Sequence, residues 1–137
     1  MIESVIPLLM SLSAPLLLIP IEKIFPYPHL VEELAKLLIV MVIIKQEKQF
    51  NRSFVFIAFL AGGLFTLSES VFYLINIFAL GNLSLFPKRL LFTGFLHIAT
   101  IMLMYVAGRK SRAWLIFGFC LSTIIHFGYN AWAAGML

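Results

Sequence analysis

Charge is scarce in this sequence: 12% of its 137 residues are Asp, Glu, Lys or Arg, whereas 62% are hydrophobic. Soluble domains carry charge on roughly a quarter of their residues. This composition excludes a soluble globular domain and indicates an integral membrane protein whose main surrounding is the lipid bilayer. The basic residues lie at the ends of apolar runs rather than in one patch, so we expect no nucleic-acid partner.

Cysteine occurs once, as Cys120, which excludes an intramolecular disulfide and a thiolate metal cluster. The first residues lack the basic n-region of a cleavable signal peptide, so we expect the first apolar run to be a retained helix. The sequence also has no long repeat, low-complexity tract or glycine-rich phosphate loop. These absences leave the apolar runs and the few polar residues within them to define the fold and function.

Five apolar runs predict an all-α fold, a polytopic transmembrane bundle of about five helices that forms one domain over residues 1–137. Each run approaches the ~20 residues needed to cross a hydrocarbon core of ~30 Å. We expect Pro7 and Pro15 to interrupt or kink the first helix, and Pro20 to lie in the loop that follows it. The predicted spans cover about residues 2–19, 30–45, 53–80, 88–107 and 113–135.

The positions of Lys and Arg predict the orientation of these helices. The connection between spans two and three and the connection between spans four and five together hold six basic residues, namely Lys45, Lys48, Arg52, Arg109, Lys110 and Arg112. The opposite connections hold only Lys23, Lys88 and Arg89, which we interpret as boundary markers. The positive-inside rule therefore places the six-charge end and the N-terminus in the cytoplasm, and the C-terminus outside.

Ionisable and polar side chains interrupt four of the predicted helices. A charge at the centre of a membrane helix costs about 2.5–3.5 kcal/mol on insertion scales, so such side chains usually face the bundle interior or a water-filled cavity. Counted along each helix at ~1.5 Å per residue, they all fall in the predicted outer half of the membrane or near its midplane. We therefore predict one shared site, open to the outer face. Its residues are Glu32, Glu33, Lys36, Glu69, His97, His126 and Asn130.

Helical spacing places several of these residues on common faces. Lys36 follows Glu32 by four residues and Glu33 by three, so its ammonium group can reach either carboxylate. His126 and Asn130 are four apart and share one face of the last helix. Phe65 likewise precedes Glu69 by one turn, and we expect Gly62 and Gly63 to allow close packing around Glu69.

Carboxylates, imidazoles and an amide are sufficient to hydrolyse an amide bond without a nucleophilic serine. A partly buried carboxylate can take a proton from water as general base, and N–H groups can stabilise the oxyanion. A zinc site formed by Glu69, His97 and His126 is an alternative, although the sequence has no H-E-x-x-H helix. A non-enzymatic proton-coupled transporter or scaffold that uses the same buried groups is another.

These polar residues form four short motifs that are similar to those of the PrsW-type intramembrane glutamic proteases. The motifs are E-E-x-x-K at residues 32–36, F-x-x-x-E at 65–69, His97 in "GFLHIAT", and H-x-x-x-N at 126–130 in "HFGYN". They follow the family's order on successive helices and span the chain from about Leu30 to its end. Through PrsW, the resemblance extends to the CAAX-processing and bacteriocin-processing membrane proteases.

The resemblance implies an endopeptidase of the prokaryotic cytoplasmic membrane that cleaves membrane-anchored substrates such as an anti-sigma factor, without a cofactor. Glu32 would activate water, with Glu33 and Lys36 supporting it, and Glu69 would help to hold the water or the Glu32 proton. His126 and Asn130 would stabilise the oxyanion, with His97 completing the cluster. Because family members usually carry more membrane helices, a partner subunit or homo-oligomer could close the lipid-facing sides.

Overall fold

A computed structural model describes residues 5–80, 83 and 85–134, and these residues include no β-strand. The prediction of an all-α bundle with five helices is confirmed. The helices are α1 (Val5–Glu22), α2 (Pro28–Phe50), α3 (Val55–Leu80), α4 (Leu85–Lys110) and α5 (Arg112–Ala134). Helix α2 differs most from its predicted span, because it continues past the apolar run to Phe50.

Helix α1 is continuous through its prolines. It contains Pro15 and Pro20 and ends at Glu22, so Pro15 does not interrupt it and the prediction that Pro20 lies in the following loop is wrong. Membrane helices tolerate internal proline because neighbouring groups satisfy the freed backbone atoms. Pro7 lies in the first turn, where its missing N–H group costs little.

Helix α2 packs against all four other helices. Among the described residues, α1, α3, α4 and α5 are long and apolar enough to cross a membrane, whereas α2 does not meet that criterion. Its Glu32, Glu33 and Lys36 are all buried, the last two completely. Surrounded by more apolar helices, α2 keeps its charged side chains in the bundle interior, where they find polar partners.

The hydrophobic core and the polar side chains occupy different parts of the bundle. The core gathers the C-terminal halves of α2 and α4 and the N-terminal half of α3, through residues such as Ile43, Ala58 and Met104. We call this end, which carries the six basic residues at positions 45–52 and 109–112, the basic end. Apart from Phe65, which belongs to the core, the predicted site residues lie beyond it, toward the opposite ends of these helices.

Glycine sets the separation of two helix pairs. A Cβ atom on Gly62 would lie 2.6 Å from the Ile98 Cα, so α3 and α4 approach closely there, and a Cβ on Gly118 would lie 3.0 Å from the Ala107 Cβ in α4. The expectation of close packing is confirmed for Gly62. It is wrong for Gly63, where an added Cβ would meet nothing within 4 Å in the part of the chain that the structure describes.

Candidate active site

The first half of the site joins α2 to α5. The Glu33 Oε1 atom lies 2.5 Å from the Lys36 Nζ and 2.7 Å from the His126 Nδ1. Lys36 also donates to the Thr100 Oγ1 of α4 at 3.3 Å. Glu33 and Lys36 are fully buried, so each charge depends on these contacts for the stabilisation that water would otherwise provide.

The second half of the site joins α3 to α4. The His97 Nε2 atom contacts a carboxylate oxygen of Glu69, and His97 is completely buried. Phe65, one turn before Glu69, packs its ring 5.1 Å from that of His97, measured between centroids. The Lys36 ammonium group lies 5.1 Å from the centroid of the same Phe65 ring, so Phe65 contacts both halves.

The two histidines bring the halves together. The ring centroids of His97 and His126 are 5.5 Å apart, and the rings are nearly perpendicular, at 78°. The Nε2 atom of His126 lies 3.6 Å from the Glu32 Oε2. Side chains from α2, α3, α4 and α5 thus form one polar cluster in which each imidazole is held by a carboxylate.

These carboxylates determine which ring nitrogens carry protons. An ionised carboxylate only accepts hydrogen bonds, so the His126 Nδ1–H donates to Glu33 and the His97 Nε2–H donates to Glu69. In the neutral imidazoles, the opposite nitrogens, Nε2 of His126 and Nδ1 of His97, then hold lone pairs. The His97 Nδ1 and the Glu32 Oε2 are buried and have no hydrogen-bond partner within the described residues.

A cavity of about 650 Å³ lies over this cluster. Its wall includes Glu32, Phe65 and Glu69 from the cluster, and Asn130 from α5. The other charged side chains that line it come from helix ends remote from the basic end, and they are Glu22, Lys23 and Arg89. The cavity therefore extends from the cluster to the end of the bundle opposite the basic end.

All the residues that the sequence places in one site lie in this cluster or along the cavity wall. The sequence reasoning missed Thr100, which contacts Lys36, and Glu22, Tyr73 and Arg89, which line the cavity. The Arg89 Cζ atom lies 3.4 Å from the centroid of the Tyr73 ring, so Arg89 does more than mark a helix boundary. The sequence did hold a signal for Arg89: it precedes His97 by eight residues, about two helical turns, which places both residues near the same face of one helix.

The donor atoms of this cluster also fit a divalent cation. Glu32, His97 and His126 each offer one ligand atom, and these atoms lie within 4.8 Å of one another. The set differs from the predicted zinc ligands Glu69, His97 and His126, because Glu69 instead contacts the His97 ring nitrogen. Metal-bound histidines usually donate their second N–H to a carboxylate or carbonyl, as both histidines do here. The unpartnered Glu32 Oε2 and His97 Nδ1 are suitable ligand atoms.

Comparison with known protein families identifies the family to which the chain belongs. The sequence model of one family, described as the PrsW family intramembrane metalloprotease, matches residues 25–136, which include every residue of the polar cluster. No curated protein and no solved structure matches the chain. Since the family match covers far more than half of the sequence, the chain belongs to the PrsW family of intramembrane proteases.

Proposed function

We propose that the protein hydrolyses peptide bonds of membrane-anchored proteins within the cavity, with Glu32 activating the attacking water. One observation carries this proposal. Glu32 lines the cavity while its buried Oε2 atom has no hydrogen-bond partner in the described residues and faces the His126 Nε2 at 3.6 Å. A carboxylate in this position can accept a proton from water beside a substrate carbonyl.

The surrounding residues give each proton a destination. Glu32 takes a proton from water as the water oxygen bonds to the carbonyl carbon, and the Asn130 amide N–H groups can donate to the resulting oxyanion. The His126 Nε2, which carries a lone pair, accepts the proton from Glu32 and delivers it to the leaving nitrogen as the C–N bond breaks. Glu33, held by Lys36, fixes the His126 ring for this transfer.

A second mechanism is metal-assisted hydrolysis, and the lone-pair geometry of the histidines favours it. Glu32, His97 and His126 would hold the cation, while Glu33 and Glu69 would orient the two imidazoles through their N–H groups. A divalent cation in such a site polarises a carbonyl and makes bound water a strong nucleophile. In this arrangement Glu32 is a ligand, so both mechanisms require its carboxylate.

The position of the cavity supports a substrate cleaved at the outer side of the membrane, such as an anti-sigma factor. The cavity extends to the end of the bundle opposite the basic end, and the positive-inside rule assigns the basic end to the cytoplasm. The helices around the cavity expose many large apolar side chains, which suit contact with lipid and with a substrate helix. A second copy of the chain or a partner subunit could cover part of this surface.

The first experiment is cleavage of tagged single-span membrane proteins by purified wild type and by Glu32→Gln. We expect Glu32→Gln to abolish cleavage, since Gln cannot act as a base, and to retain the thermal unfolding midpoint. Glu47→Gln is the matched control, a carboxylate of the same helix at the basic end. Glu47→Gln should lower the thermal unfolding midpoint, because Glu47 contacts Arg109 and Tyr105 of α4. It should still cleave the substrate at temperatures where the protein remains folded. Cleavage by Glu32→Gln at the wild-type rate would contradict the proposal.

Metal dependence separates the two mechanisms. The purified protein would be treated with a chelator and assayed for cleavage, and its metal content would be measured by mass spectrometry. Full activity without stoichiometric metal would establish Glu32 as the base. Loss of activity that zinc restores, together with loss of bound metal in His97→Ala but not in Glu47→Gln, would establish the metal-assisted mechanism.

A further inference from the structure

We propose that the basic end holds a binding site for an acidic phospholipid, separate from the proposed active site. A second cavity, of about 290 Å³, lies between the C-terminal part of α2 and the connection from α4 to α5. Four cationic side chains line it, namely Lys45, Lys48, Lys110 and Arg112. The ligand that fits is a phosphate diester headgroup with its acyl chains in the adjacent bilayer.

The four cations are free to bind an anion. All four are exposed, and none forms an ion pair with a carboxylate among the residues that the structure describes. The only acidic residue between positions 34 and 68 is Glu47. Its carboxylate is already engaged by the Arg109 Nε at 2.8 Å and by the Tyr105 hydroxyl. The local excess of positive charge is therefore not neutralised within the described chain.

The walls of the cavity favour a lipid over a free anion. Its lining also includes Met41, Ile44 and Leu115, which are apolar, so the cations and an apolar surface meet in one cavity. Inorganic phosphate would use only the cations, whereas a phospholipid would use both parts. Trp114, whose ring lies 5.0 Å from the Lys110 Nζ, is an aromatic residue of the type that marks the headgroup level.

The arrangement also differs from a diffuse basic surface. The cations come from two segments, the C-terminal part of α2 and the region where α4 ends and α5 begins, and Glu47 joins α2 to α4 through Arg109 and Tyr105. Gly108 lies in the same contact region, where a Cβ would lie 2.4 Å from the Ile44 Cδ1 and 3.0 Å from the Leu115 Cδ1. One phosphate can therefore contact cations from both segments. Basic pockets between membrane helices are known to bind acidic headgroups in this way.

The test uses the purified full-length protein and native mass spectrometry with phosphatidylglycerol, phosphatidylcholine or inorganic phosphate. We expect phosphatidylglycerol to bind at least tenfold more tightly than phosphatidylcholine and to raise the thermal unfolding midpoint of wild type. Each charge removed should weaken binding roughly fivefold, so Lys48→Gln combined with Arg112→Gln should weaken it by roughly 30-fold. Lys48→Arg should restore the affinity lost in Lys48→Gln.

Lys88→Gln is the control, because Lys88 is an exposed cation at the opposite end of α4. It should bind phosphatidylglycerol as wild type does. Equal weakening by Lys88→Gln would show a diffuse charge effect and overturn the proposal. Equal affinity for phosphatidylcholine, or competition by inorganic phosphate at the same concentration as the lipid, would also overturn it. The midpoint of wild type with each lipid gives a result that does not depend on any variant folding.

Discussion

Glu33 and Lys36 show how charged residues are kept inside an apolar bundle. Both side chains are fully buried, and Glu33 contacts Lys36 and His126 through the same oxygen. Breaking a buried ion pair by removing one partner costs about 3–5 kcal/mol, whereas replacing both charges is often nearly neutral. We therefore expect the pair to serve the proposed site rather than to add net stability to the fold.

We therefore predict that Lys36→Met lowers the free energy of unfolding by about 3–5 kcal/mol, because Glu33 is left charged and buried. The double variant Glu33→Gln with Lys36→Met should recover most of this loss, since Gln can still accept from the His126 Nδ1–H. Thermal and denaturant unfolding in detergent would measure the free energy of unfolding of the single and the double variant. A double variant no more stable than Lys36→Met would show that the pair stabilises the fold by itself.

The sequence predicts contacts within a helix well at this scale and contacts between helices poorly. The helical spacing predicted that Lys36 can reach Glu32 or Glu33, and in the structure it contacts Glu33. The contacts of Glu33 with His126 and of Glu69 with His97 join different helices, so they depend on how each helix is rotated about its axis. That rotation is set by packing over the whole bundle. Polar residues at one membrane depth therefore indicated a shared site without indicating which carboxylate holds which histidine.

At the scale of helices, the approach of α3 to α4 decides whether the site forms. Gly62 lies against the backbone of Ile98. Ile98 directly follows His97 in α4, and Gly62 precedes Glu69 by about two turns in α3. A larger residue there must move one helix away from the other. Such a shift would also separate Glu69 from His97, because these side chains stand on the two helices that Gly62 brings together.

We predict that Gly62→Ala lowers the free energy of unfolding by about 1–3 kcal/mol, through overpacking against backbone that cannot move aside. It should also reduce cleavage at temperatures where the protein remains folded. Gly63→Ala is the matched control, and it should be neutral or stabilising by up to about 1 kcal/mol, since a Cβ there meets open space and Ala favours a helix. Unfolding midpoints and cleavage rates would test both. Equal effects of the two substitutions would contradict the packing argument.

Helix positions were largely predictable from run length, and helix ends were not. The apolar runs gave five helices in the right places, because a membrane demands long uninterrupted segments. Pro20 was assigned to a loop by a rule taken from soluble proteins, where water competes for freed backbone groups. Helix α2 continues to Phe50 because its last turns find partners within the bundle: Glu47 contacts Arg109 and Tyr105 of α4, and Phe50 packs against the core.

At the scale of the whole molecule, the two cavities lie at opposite ends of the bundle. The larger one holds the polar cluster, and the smaller one is lined by Lys45, Lys48, Lys110 and Arg112. The orientation proposed from the basic residues therefore assigns each cavity to one side of the membrane. Peptide hydrolysis would occur outside, and acidic lipid would bind at the cytoplasmic leaflet.

This orientation predicts the labelling of single cysteines placed at the two ends. With Cys120→Ala as background, Lys88→Cys should react with a membrane-impermeant maleimide on intact cells. Ser111→Cys, which lies at the basic end, should react only after the cells are opened. Both positions are exposed, so burial does not limit the reaction. The reverse pattern would place the proposed active site in the cytoplasm and exclude an extracytoplasmic substrate segment.

The central position of α2 has a consequence for how the protein is made. This helix carries the buried charges and touches every other helix, so it is a poor membrane segment until its neighbours surround it. Helix α5, which supplies His126 and Asn130, is the last of the five to leave the ribosome. Assembly of the bundle and assembly of the proposed active centre would then be a single event. A nascent or partly inserted chain would lack the proposed hydrolytic centre until α5 joins the other helices.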